Sequence, residues 1–367
     1  MKIYLSRTEL GKALSTVFHA ISSRTPSKVL EGILVEVDGS RMKLTATDTN
    51  MTIETEIAVT AEDRCAFVAP AKLISSIIAK LPEEEVMMEY DEKKNKLRIR
   101  SGRSSSEIIC FQADEYPKLR IRESDEVIRL NKETVKKIIR KTAFSASTDE
   151  LNGILTGVLI EIKDGQFRMV AVDAFRMTIY NDEIEDQKAA MTLVIPARMI
   201  NELSKILTDG DDPMTLAVSE QKAVFCFDNN RVTLNTLNGR YIDYKRIIKA
   251  DSTISIRVQK EELVRSIDRA ALLAQSQNNN LIRFSIDDEL IEINSLSDEG
   301  NIEEKVEVIK KGDDLKIGFN SRYLIDIFRA IDDEEIMMYM KDSISPCIIK
   351  PLTGEKYLYL VLPIRIN

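Results

Sequence analysis

The sequence contains one segment three times, and this repetition limits the possible folds more than any other feature of the chain. The segment reads FVAPAKLISSIIAKL at 67–81, LVIPARMINELSKIL at 193–207 and IGFNSRYLIDIFRAI at 317–331. Pro70 and Pro196 occupy the same place in the first two copies, 126 residues apart, and the third copy follows 124 residues later. A chain of 367 residues with this period predicts three similar domains, because single cores seldom exceed roughly 250–300 residues.

Two further repeated segments occur in the same order. The first opens each copy and reads IYLSRTELGKAL at 3–14, IRLNKETVKKII at 128–139 and IRVQKEELVRSI at 256–267. The second reads LTATDTNMTIETEI at 44–57 and MVAVDAFRMTIYND at 169–182, with a weaker third copy at 291–308. Because the order and the spacing of all three segments agree, we predict three copies of one domain at 1–122, 127–248 and 253–367.

Each copy has the pattern of an α+β domain. In the first copy an alternating strand leads to Ser6, with Glu9 three positions later, which is a helix-capping pair. Apolar residues such as Leu10 and Leu14 then recur at helical spacing. Several strands, a second helix that begins at a proline and further strands follow. Because strands outnumber helices and do not alternate with them, we expect curved antiparallel sheets with both helices on the same side.

Positive charge is concentrated in the six predicted helices. The whole chain has a net charge of −8, which taken alone disfavours a nucleic-acid ligand. The charges within the six predicted helices sum to +9, which leaves −17 for the rest of the chain. The six helix windows are 7–21, 72–80, 132–141, 198–206, 260–269 and 322–329. Solvated helix faces often carry lysines, but six basic helices on one side of curved sheets would form a wall suited to phosphates. The side chains of this predicted wall are Lys12, Lys72, Lys136, Lys137, Arg140, Arg198, Lys205, Arg265, Arg269 and Arg322.

The chain lacks the residue patterns of most enzymes. His19 is the only histidine, which argues against a histidine-based mechanism. Acidic runs at 83–85, 209–212 and 332–335 could imitate a metal cluster, but they occupy the same turn of separate copies and are better explained as solvated turns. No glycine-rich phosphate loop is present in the sequence. We therefore expect no catalytic residue, no metal and no cofactor.

The cysteines and the apolar runs indicate the compartment. Cys65, Cys110, Cys226 and Cys347 lie in strand-like runs without a CxxC pair, so we expect buried free thiols. No apolar run approaches the roughly 18 residues of a membrane span. The opening MKIYLSRTEL becomes polar within five residues, unlike the apolar core of a signal peptide. We expect a cytoplasmic protein without a membrane partner.

Short motifs along the whole chain resemble those of one known family. They are ATD at 46–48, FVAPAK at 67–72, SGRS at 101–104, ILTG at 154–157, GRYIDYKRII at 239–248 and LVLPIRI at 360–366. Together with the three copies, they make the chain similar to the bacterial DNA polymerase III beta subunits, the DNA sliding clamps. The resemblance implies a homodimeric head-to-tail ring around double-stranded DNA, without base recognition or catalysis. Helices would line the hole and antiparallel sheets would form the outer rim.

The resemblance also implies a pocket between the second and third domains, where DNA polymerase and clamp-loader subunits bind through short peptide motifs. The residues at the matching positions are Leu155, Val172, Arg176, Met177, Ile242, Arg246, Ile247, Ile344, Leu360, Leu362, Pro363, Ile364 and Arg365. Ala174 and Phe175 stand where Gly-His is usual, Ile242 stands where proline is common, and Pro346 lies near the rim, so the peptide preference is left open. Without the resemblance, these residues would be interpreted as packed core.

The family also points to residues for DNA contact and for the seam between two copies. For DNA these are Arg24, Lys72 and the loop 148–150, in which Asp149 and Glu150 are acidic here. For the seam they are Arg98, Arg100, Arg103 and Ile108 on one side, and Leu272, Leu273, Glu303 and Glu304 on the other. An apolar centre with opposite charges around it is typical of a specific interface that can open.

Two other functions are compatible with the residues alone. One is a repeat-built peptide-binding scaffold with no DNA role, and the other is a hydrolase that uses two carboxylates. Retention on circular DNA would distinguish a clamp from a scaffold. A loss of turnover on mutation of one carboxylate pair would identify a hydrolase.

Overall fold

The computed structural model describes residues 1–21, 27–117, 126–210, 212–248, 251–275, 279–287 and 289–366. Within these ranges the α-helices are α1 Arg7–Phe18, α2 Ala71–Ala79, α3 Lys132–Thr142, α4 Ala197–Ile206, α5 Tyr244–Ile247, α6 Lys260–Ala274 and α7 Ser321–Ala330. Short 3-10 turns occupy Lys28–Glu31, Ala113–Glu115, Ala143–Ser145 and Glu150–Thr156. The six predicted helices are present, and α5 is an additional single turn.

The strands account for most of the remaining regular structure. The first eleven are β1 Lys2–Ser6, β2 Gly32–Asp38, β3 Arg41–Thr47, β4 Met51–Ala58, β5 Thr60–Ala61, β6 Arg64–Pro70, β7 Glu85–Asp91, β8 Lys96–Ser101, β9 Ser104–Ile109, β10 Phe111–Gln112 and β11 Val127–Asn131. The next seven are β12 Gly157–Lys163, β13 Gln166–Val172, β14 Arg176–Glu183, β15 Met191–Pro196, β16 Pro213–Ser219, β17 Lys222–Phe227 and β18 Asn230–Asn235. The last eight are β19 Ile254–Gln259, β20 Leu281–Ile286, β21 Leu290–Ser297, β22 Gly300–Lys311, β23 Leu315–Asn320, β24 Glu335–Met340, β25 Cys347–Pro351 and β26 Tyr357–Val361.

The chain divides into two compact units, residues 1–133 with 202–236 and residues 134–201 with 237–367. The first unit contains a five-stranded sheet, β5-β1-β7-β8-β9, and a nine-stranded sheet, β10-β6-β2-β3-β4-β18-β17-β16-β11. The second unit contains a twelve-stranded sheet, β15-β12-β13-β14-β26-β25-β24-β19-β22-β21-β20-β23. The strands of these sheets pair antiparallel. The predicted α+β class is confirmed.

The alternation of apolar residues places one face of each sheet in a core. In β3, Met42, Leu44 and Ala46 are completely buried, and in α1 the helically spaced Leu10 and Leu14 are buried as well. Each fully buried large aliphatic side chain stabilises the fold by roughly 1.5–3 kcal/mol, so these stripes fix which face of every element points inward.

The junction between the opening strand and the first helix is built alike in the three copies. The first N–H of each helix donates to a carbonyl oxygen of the acidic turn: Arg7 to Glu84 at 2.7 Å, Lys132 to Asp212 at 3.3 Å and Lys260 to Glu334 at 2.8 Å. In the first copy the Ser6 hydroxyl also accepts from the N–H of Glu9 at 3.1 Å, which satisfies one free donor of the helix end. The acidic runs therefore serve as turns that hold helix ends.

None of the helices formed by the described residues combines the length and the apolar character needed to cross a lipid bilayer.

Candidate functional site

An apolar cluster of the second unit contains several of the predicted pocket residues, and it is called the floor below. Met177 on β14 pairs with Leu360 on β26, and Leu360 also pairs with Ile348 on β25. These three side chains belong to one cluster, in which Met177 is 1% exposed and Leu360 is 3% exposed. The other predicted pocket residues of this cluster are Leu155, Val172 and Ile247. Five of the predicted residues therefore meet in one place, mostly as core.

The C-terminal tail continues this floor, but it is more firmly held than its proline suggests. Strand β26 ends at Val361, as expected before Pro363, which cannot donate a backbone hydrogen bond. The N–H of Leu362 nevertheless donates to the carbonyl of Phe175 at 2.8 Å, and the N–H of Ile364 donates to Gly318 at 2.8 Å. Leu362 is 38% exposed, while Pro363 and Ile364 are half-buried. The tail is thus a fixed edge of the site.

Gly318 makes room for that tail. A Cβ atom at this position would lie 2.9 Å from the carbonyl oxygen of Ile364 and 2.9 Å from a methyl of Leu281, closer than such atoms normally approach. The glycine therefore permits the close approach of the two backbones that the bridge between Gly318 and Ile364 requires.

Arg176, one of the predicted pocket residues, is held by internal contacts. Its side chain is 11% exposed and pairs with Asp173 at 3.0 Å and Asp326 at 2.6 Å. A further N–H donates to the carbonyl of Phe144 at 2.9 Å. The guanidinium also lies 4.6 Å from the ring centre of Tyr323, a cation–π distance. These contacts occupy the fork of the guanidinium.

The remaining predicted pocket residues are more accessible. Ile344 is 65% exposed, in a turn where the Asp342 carboxylate accepts from the N–H of Ile344 at 3.0 Å. That backbone hydrogen bond, with others from Ser345, lowers the pKa of Asp342. Ile242 is 39% exposed, and the exposed Arg246 pairs with Asp243 at 2.9 Å. Arg365 is also exposed.

One exposed aromatic residue was missed by the sequence reasoning as a surface feature. Phe175 is 53% exposed and stacks on Tyr323, with 5.8 Å between the ring centres. Its carbonyl also holds Leu362. The only sequence signal was its unusual place before Arg176.

The positive charge counted in α3 is partly internal. Lys132 is 1% exposed, and its ammonium donates to Asp228 at 2.9 Å and pairs with Asp212 at 3.2 Å. Burial alone would lower the pKa of Lys132, but the hydrogen bonds to these two carboxylates outweigh burial and raise it. Lys141 is also buried and pairs with Asp332. Two of the charges in this helix are therefore used in folding.

Several residues of the predicted basic wall have carboxylate neighbours. Lys12 lies 3.1 Å from Glu9, and Lys137 lies 2.6 Å from Asp182. Lys205 donates to Glu202 at 2.7 Å, and the same carboxylate lies 2.8 Å from Nδ1 of His19. In the third copy, Arg265 pairs with Glu261 at 2.9 Å and Arg269 pairs with Glu304.

The remaining residues of the predicted wall differ in their exposure. Among the described residues, the exposed side chains of Lys72 and Arg140 form no ion pair with a carboxylate. Arg198 and Arg322 are exposed and Lys136 is half-buried. Arg24 lies outside the described residues. In the loop 148–150, the Asp149 carboxylate accepts from the N–H of Leu151 at 2.9 Å, and Leu151 itself is 93% exposed.

One predicted seam edge is strand β9, at the end of the five-stranded sheet. Ile108 was expected at its apolar centre, but it is 4% exposed and faces the core, which corrects that expectation. Its neighbour Ile109 points to the other face and is 71% exposed. Arg100 and Arg103 are exposed, while Arg98 is half-buried and donates to Glu107 at 3.2 Å.

The other predicted seam edge lies along β22 and the end of α6. Residues 300–307 of β22 pair with β21, and residues 308–311 pair with β19. Within the described residues, the first part of β22 is therefore paired with a strand on one side only, and its other side is an edge. Leu272 is 68% exposed and Leu273 is half-buried. Glu303 lies 3.4 Å from Lys305, and Glu304 accepts from Arg269 at 2.7 Å.

No group of three or more histidine, cysteine, aspartate or glutamate side chains is arranged to hold a metal ion in the part of the chain that the structure describes. The four cysteines are free thiols, but Cys65 and Cys226 are half-buried and not fully buried as expected. Burial raises the pKa of Cys110 to about 12, so this thiol stays protonated at neutral pH.

Three family models match the chain in order. They are the N-terminal domain of the DNA polymerase III beta subunit at residues 1–120, its central domain at 129–243 and its C-terminal domain at 245–365. A protein named beta sliding clamp from Staphylococcus epidermidis is 31% identical over 375 residues, covering 100% of this chain and 99% of its own length. The one from Staphylococcus aureus is 30% identical with the same coverage. The crystal structure of the DNA polymerase sliding clamp from Bacillus subtilis is 30% identical, covers 100% of both chains and has a TM-score of 0.96.

Proposed function

This chain belongs to the DNA polymerase III beta subunit family, the beta sliding clamps, and on that premise we propose that two copies close head to tail into a ring around double-stranded DNA. The single observation that carries the proposal is the match of all three family domains, in order, across residues 1–365. In this proposal the chain is a processivity factor in DNA replication and not an enzyme. We propose that it acts in the bacterial cytoplasm, where its proposed DNA partner lies.

We propose the domain bounds 1–122, 127–248 and 253–367, with the basic helices facing the DNA. The contacts would be made to phosphates, without base recognition, because lysine and arginine bind the backbone by charge. Lys72 and Arg140 are the strongest candidates, since their exposed charges have no carboxylate partner among the described residues. Lys136, Lys12, Lys137, Lys205 and Arg198 would add to the field, and the predicted role of Arg24 stays a prediction.

We propose that the seam between two copies joins the edge strand β9 of one copy to the first part of β22 of the other. Both are antiparallel edges, and strand addition at such an edge supplies backbone hydrogen bonds. Ile109 and Leu272, 71% and 68% exposed, would form the apolar centre. Arg100 and Arg103 would face the acidic Glu303 and Glu304. A heterologous contact of this kind closes into a ring when the rotation between copies closes.

We propose that polymerases, and the subunits that load the clamp, bind the apolar pocket through short peptides. The support is the cluster around Met177 and Leu360, edged by the tail residues Leu362 to Ile364 and by Ile247. A concave apolar floor with a few polar groups at its edge is typical of a peptide-binding site. An aliphatic or aromatic anchor of the peptide would supply most of the affinity.

Topological retention on DNA tests this function. The purified chain is loaded onto nicked circular DNA with a clamp loader, and the bound fraction is measured by gel filtration before and after the circle is cut. We expect retention on the circle and loss on the linear form. Lys136→Glu with Arg140→Glu should shorten retention about tenfold, because two phosphate contacts become repulsive.

A matched pair controls for charge alone. Lys93→Glu with Lys94→Glu makes the same change in a sheet turn of the first unit, away from the helices, and should leave retention unchanged. Equal retention on cut and uncut circles would contradict the clamp and favour the peptide-binding scaffold.

A further inference from the structure

A second cavity adjoins the peptide pocket along the same sheet face. It has a volume of about 260 Å³ and is lined by Ile179, Tyr357 and Leu358, with Lys245 and Lys350 among its charged residues. None of these residues was predicted as part of the pocket.

The strand register makes this cavity continuous with the pocket floor. Met177 pairs with Leu360, and two residues further along the same strands Ile179 pairs with Leu358. Because side chains alternate between the faces of a sheet, the two pairs lie on the same face, one after the other. Both pairs belong to the same apolar cluster, to which Ile348 also contributes. The pocket and the cavity therefore share one floor.

Helix α5 bounds both sites on one side. Tyr244 and Ile248, four positions apart, line the second cavity, and Ile247 packs on the shared apolar cluster. Tyr244 is fixed there, because its hydroxyl bonds the carboxylate of Glu161 and accepts from Arg168 at 3.3 Å. The wall that α5 forms along one side of both sites is thus preformed.

The charge at the far end of the cavity is positive. Among the described residues, Lys245 and Lys350 form no ion pair with a carboxylate, while Arg168 donates to Asn181 at 2.7 Å and lies 4.0 Å from Glu161. Glu355 is the one carboxylate among the lining residues. Lys350 lies two positions after Ile348 on β25 and so points to the same face as the apolar floor. The Lys245 ammonium lies 5.7 Å from the ring centre of Tyr244, a cation–π contact that leaves its charge available to an anion. An apolar floor that ends in two ammonium groups without a carboxylate partner fits an apolar residue followed by acidic ones.

We propose that this cavity is an accessory subsite for the residues that flank the pocket-bound peptide, and that it selects an apolar residue followed by acidic residues. The inference rests on the proposed function, since the peptide anchored in the pocket delivers its own flank to the cavity. The pair Ile179 and Leu358 lies two residues along the strands from the pair Met177 and Leu360, a distance of roughly 7 Å. Two to three extended peptide residues therefore span the distance from the pocket to the cavity. The acidic flank faces Lys245 and Lys350.

The test measures fluorescence anisotropy of a labelled peptide. The starting probe is the shortest segment that binds among overlapping peptides of the replicative polymerase. It is then extended at either end with Leu-Glu-Glu, Leu-Lys-Lys or Ser-Gln-Gln. We expect Leu-Glu-Glu at one end to tighten binding about fivefold over Ser-Gln-Gln, since exposed ion pairs add little each. Leu-Lys-Lys should give no gain.

Two double variants assign the gain to the cavity. Lys245→Ala with Lys350→Ala should remove the fivefold gain and leave the unextended peptide and the dimer unchanged. Lys188→Ala with Lys316→Ala removes the same charge from exposed positions of the same unit and should keep the gain.

The outcomes separate this inference from the function on which it rests. No gain at either end, or a gain that survives Lys245→Ala with Lys350→Ala, overturns the accessory subsite while the pocket stands. If the unextended peptide binds and the gain in affinity also appears with Leu-Lys-Lys, the cavity binds the apolar residue alone and the proposed acidic preference is wrong. Failure of every unextended polymerase peptide to bind instead contradicts the proposed pocket.

Discussion

The floor of the proposed peptide pocket and the edges of the proposed seam are both apolar, but they differ in how much of their apolar surface a single copy exposes. Met177 and Leu360 in the floor are 1% and 3% exposed. Ile109 and Leu272 at the seam are 71% and 68% exposed. The floor is therefore core, which a ligand of the proposed pocket would reach only where it borders the rim, whereas the exposed seam residues contribute little to the stability of one copy.

This difference in exposure predicts whether a mutation changes the free energy of folding together with that of binding, or changes binding alone. A change in the floor should alter folding and binding together, because the same side chains pack within the cluster and would border the proposed ligand. A change at the seam alters assembly alone, because an exposed side chain has few contacts to lose within its own chain. The variants and the salt condition below test this separation, beginning with the largest expected effect.

Met177→Asp should unfold the second unit. Burying a carboxylate in an apolar cluster without a cation, and losing the methionine packing, together cost more than about 4 kcal/mol. We expect the second unit to melt at a much lower temperature, and loss of peptide binding to follow from loss of structure. Thermal unfolding by circular dichroism, beside peptide anisotropy, measures both.

Ile344→Asp is the matched change on the accessible rim, where the side chain is 65% exposed. It should weaken the peptide without a change in melting temperature. A stable Met177→Asp variant that merely binds peptide weakly would show that the floor is less coupled to folding than its burial indicates.

Deletion of residues 363–367 should abolish peptide binding, a loss of at least about a hundredfold, and leave the dimer intact. The deletion removes Pro363 and Ile364 from the rim, together with the hydrogen bond from Ile364 to Gly318. The lost hydrogen bond costs about 1 kcal/mol, and the half-buried Ile364 and Ile366 add roughly 1 kcal/mol each, so the unit should stay folded. Peptide anisotropy and sedimentation equilibrium on the same sample check the two parts.

Gly318→Ala sharpens the same test without a deletion. The added methyl would meet the carbonyl oxygen of Ile364 at 2.9 Å and should push the tail away from the site. Normal peptide affinity in both variants would place the peptide elsewhere, even with the family assignment unchanged.

Leu272→Asp or Ile109→Asp should turn dimers into monomers without lowering the melting temperature of the copy. A charge at the centre of an interface typically costs more than about 2 kcal/mol, which raises the dissociation constant about thirtyfold. Leu273→Ala should act in the same direction but less, because Leu273 is half-buried in its own copy. Sedimentation equilibrium at low concentration measures the shift, with Leu352→Asp as an exposed control. An unchanged dimer would place the seam elsewhere.

The three copies and the α+β class could be predicted from the sequence, because the repeated segments specify them directly. The pocket residues came only from the resemblance, since an apolar run alone does not distinguish a core from a binding site. The side of β9 that faces outward could not be predicted. A resemblance assigned Ile108 to the seam, but a shift of one residue moves a side chain to the opposite face, and Ile109 is the exposed one. The alternation of exposed Ser105 and Glu107 could have indicated this.

Charge counting had a similar limit. The helix window 132–141 has the largest positive charge, yet Lys132 and Lys141 are buried against carboxylates. The sign of a side chain's charge can be taken from the sequence, but the residue with which that charge pairs in the fold cannot. Arg176 shows the same effect in the pocket, where its guanidinium holds Asp173 and Asp326.

The smallest expected effect is the response of the two interfaces to salt. Raising the salt concentration from 0.05 M to 0.5 M should weaken the dimer about threefold and change the affinity of the unextended peptide less than twofold, because screening acts on exposed charges and not on apolar contact. The effect at the seam is small since its acids already have partners in their own chain: Glu304 accepts from Arg269 at 2.7 Å and Glu303 lies 3.4 Å from Lys305. The hydrogen bond from Arg269 lowers the pKa of Glu304, so this carboxylate loses its charge only below the usual glutamate range. The salt effect should therefore be the same from pH 5 to pH 8. A dimer that weakens a hundredfold in salt would mean that charge, and not Ile109 and Leu272, closes the seam.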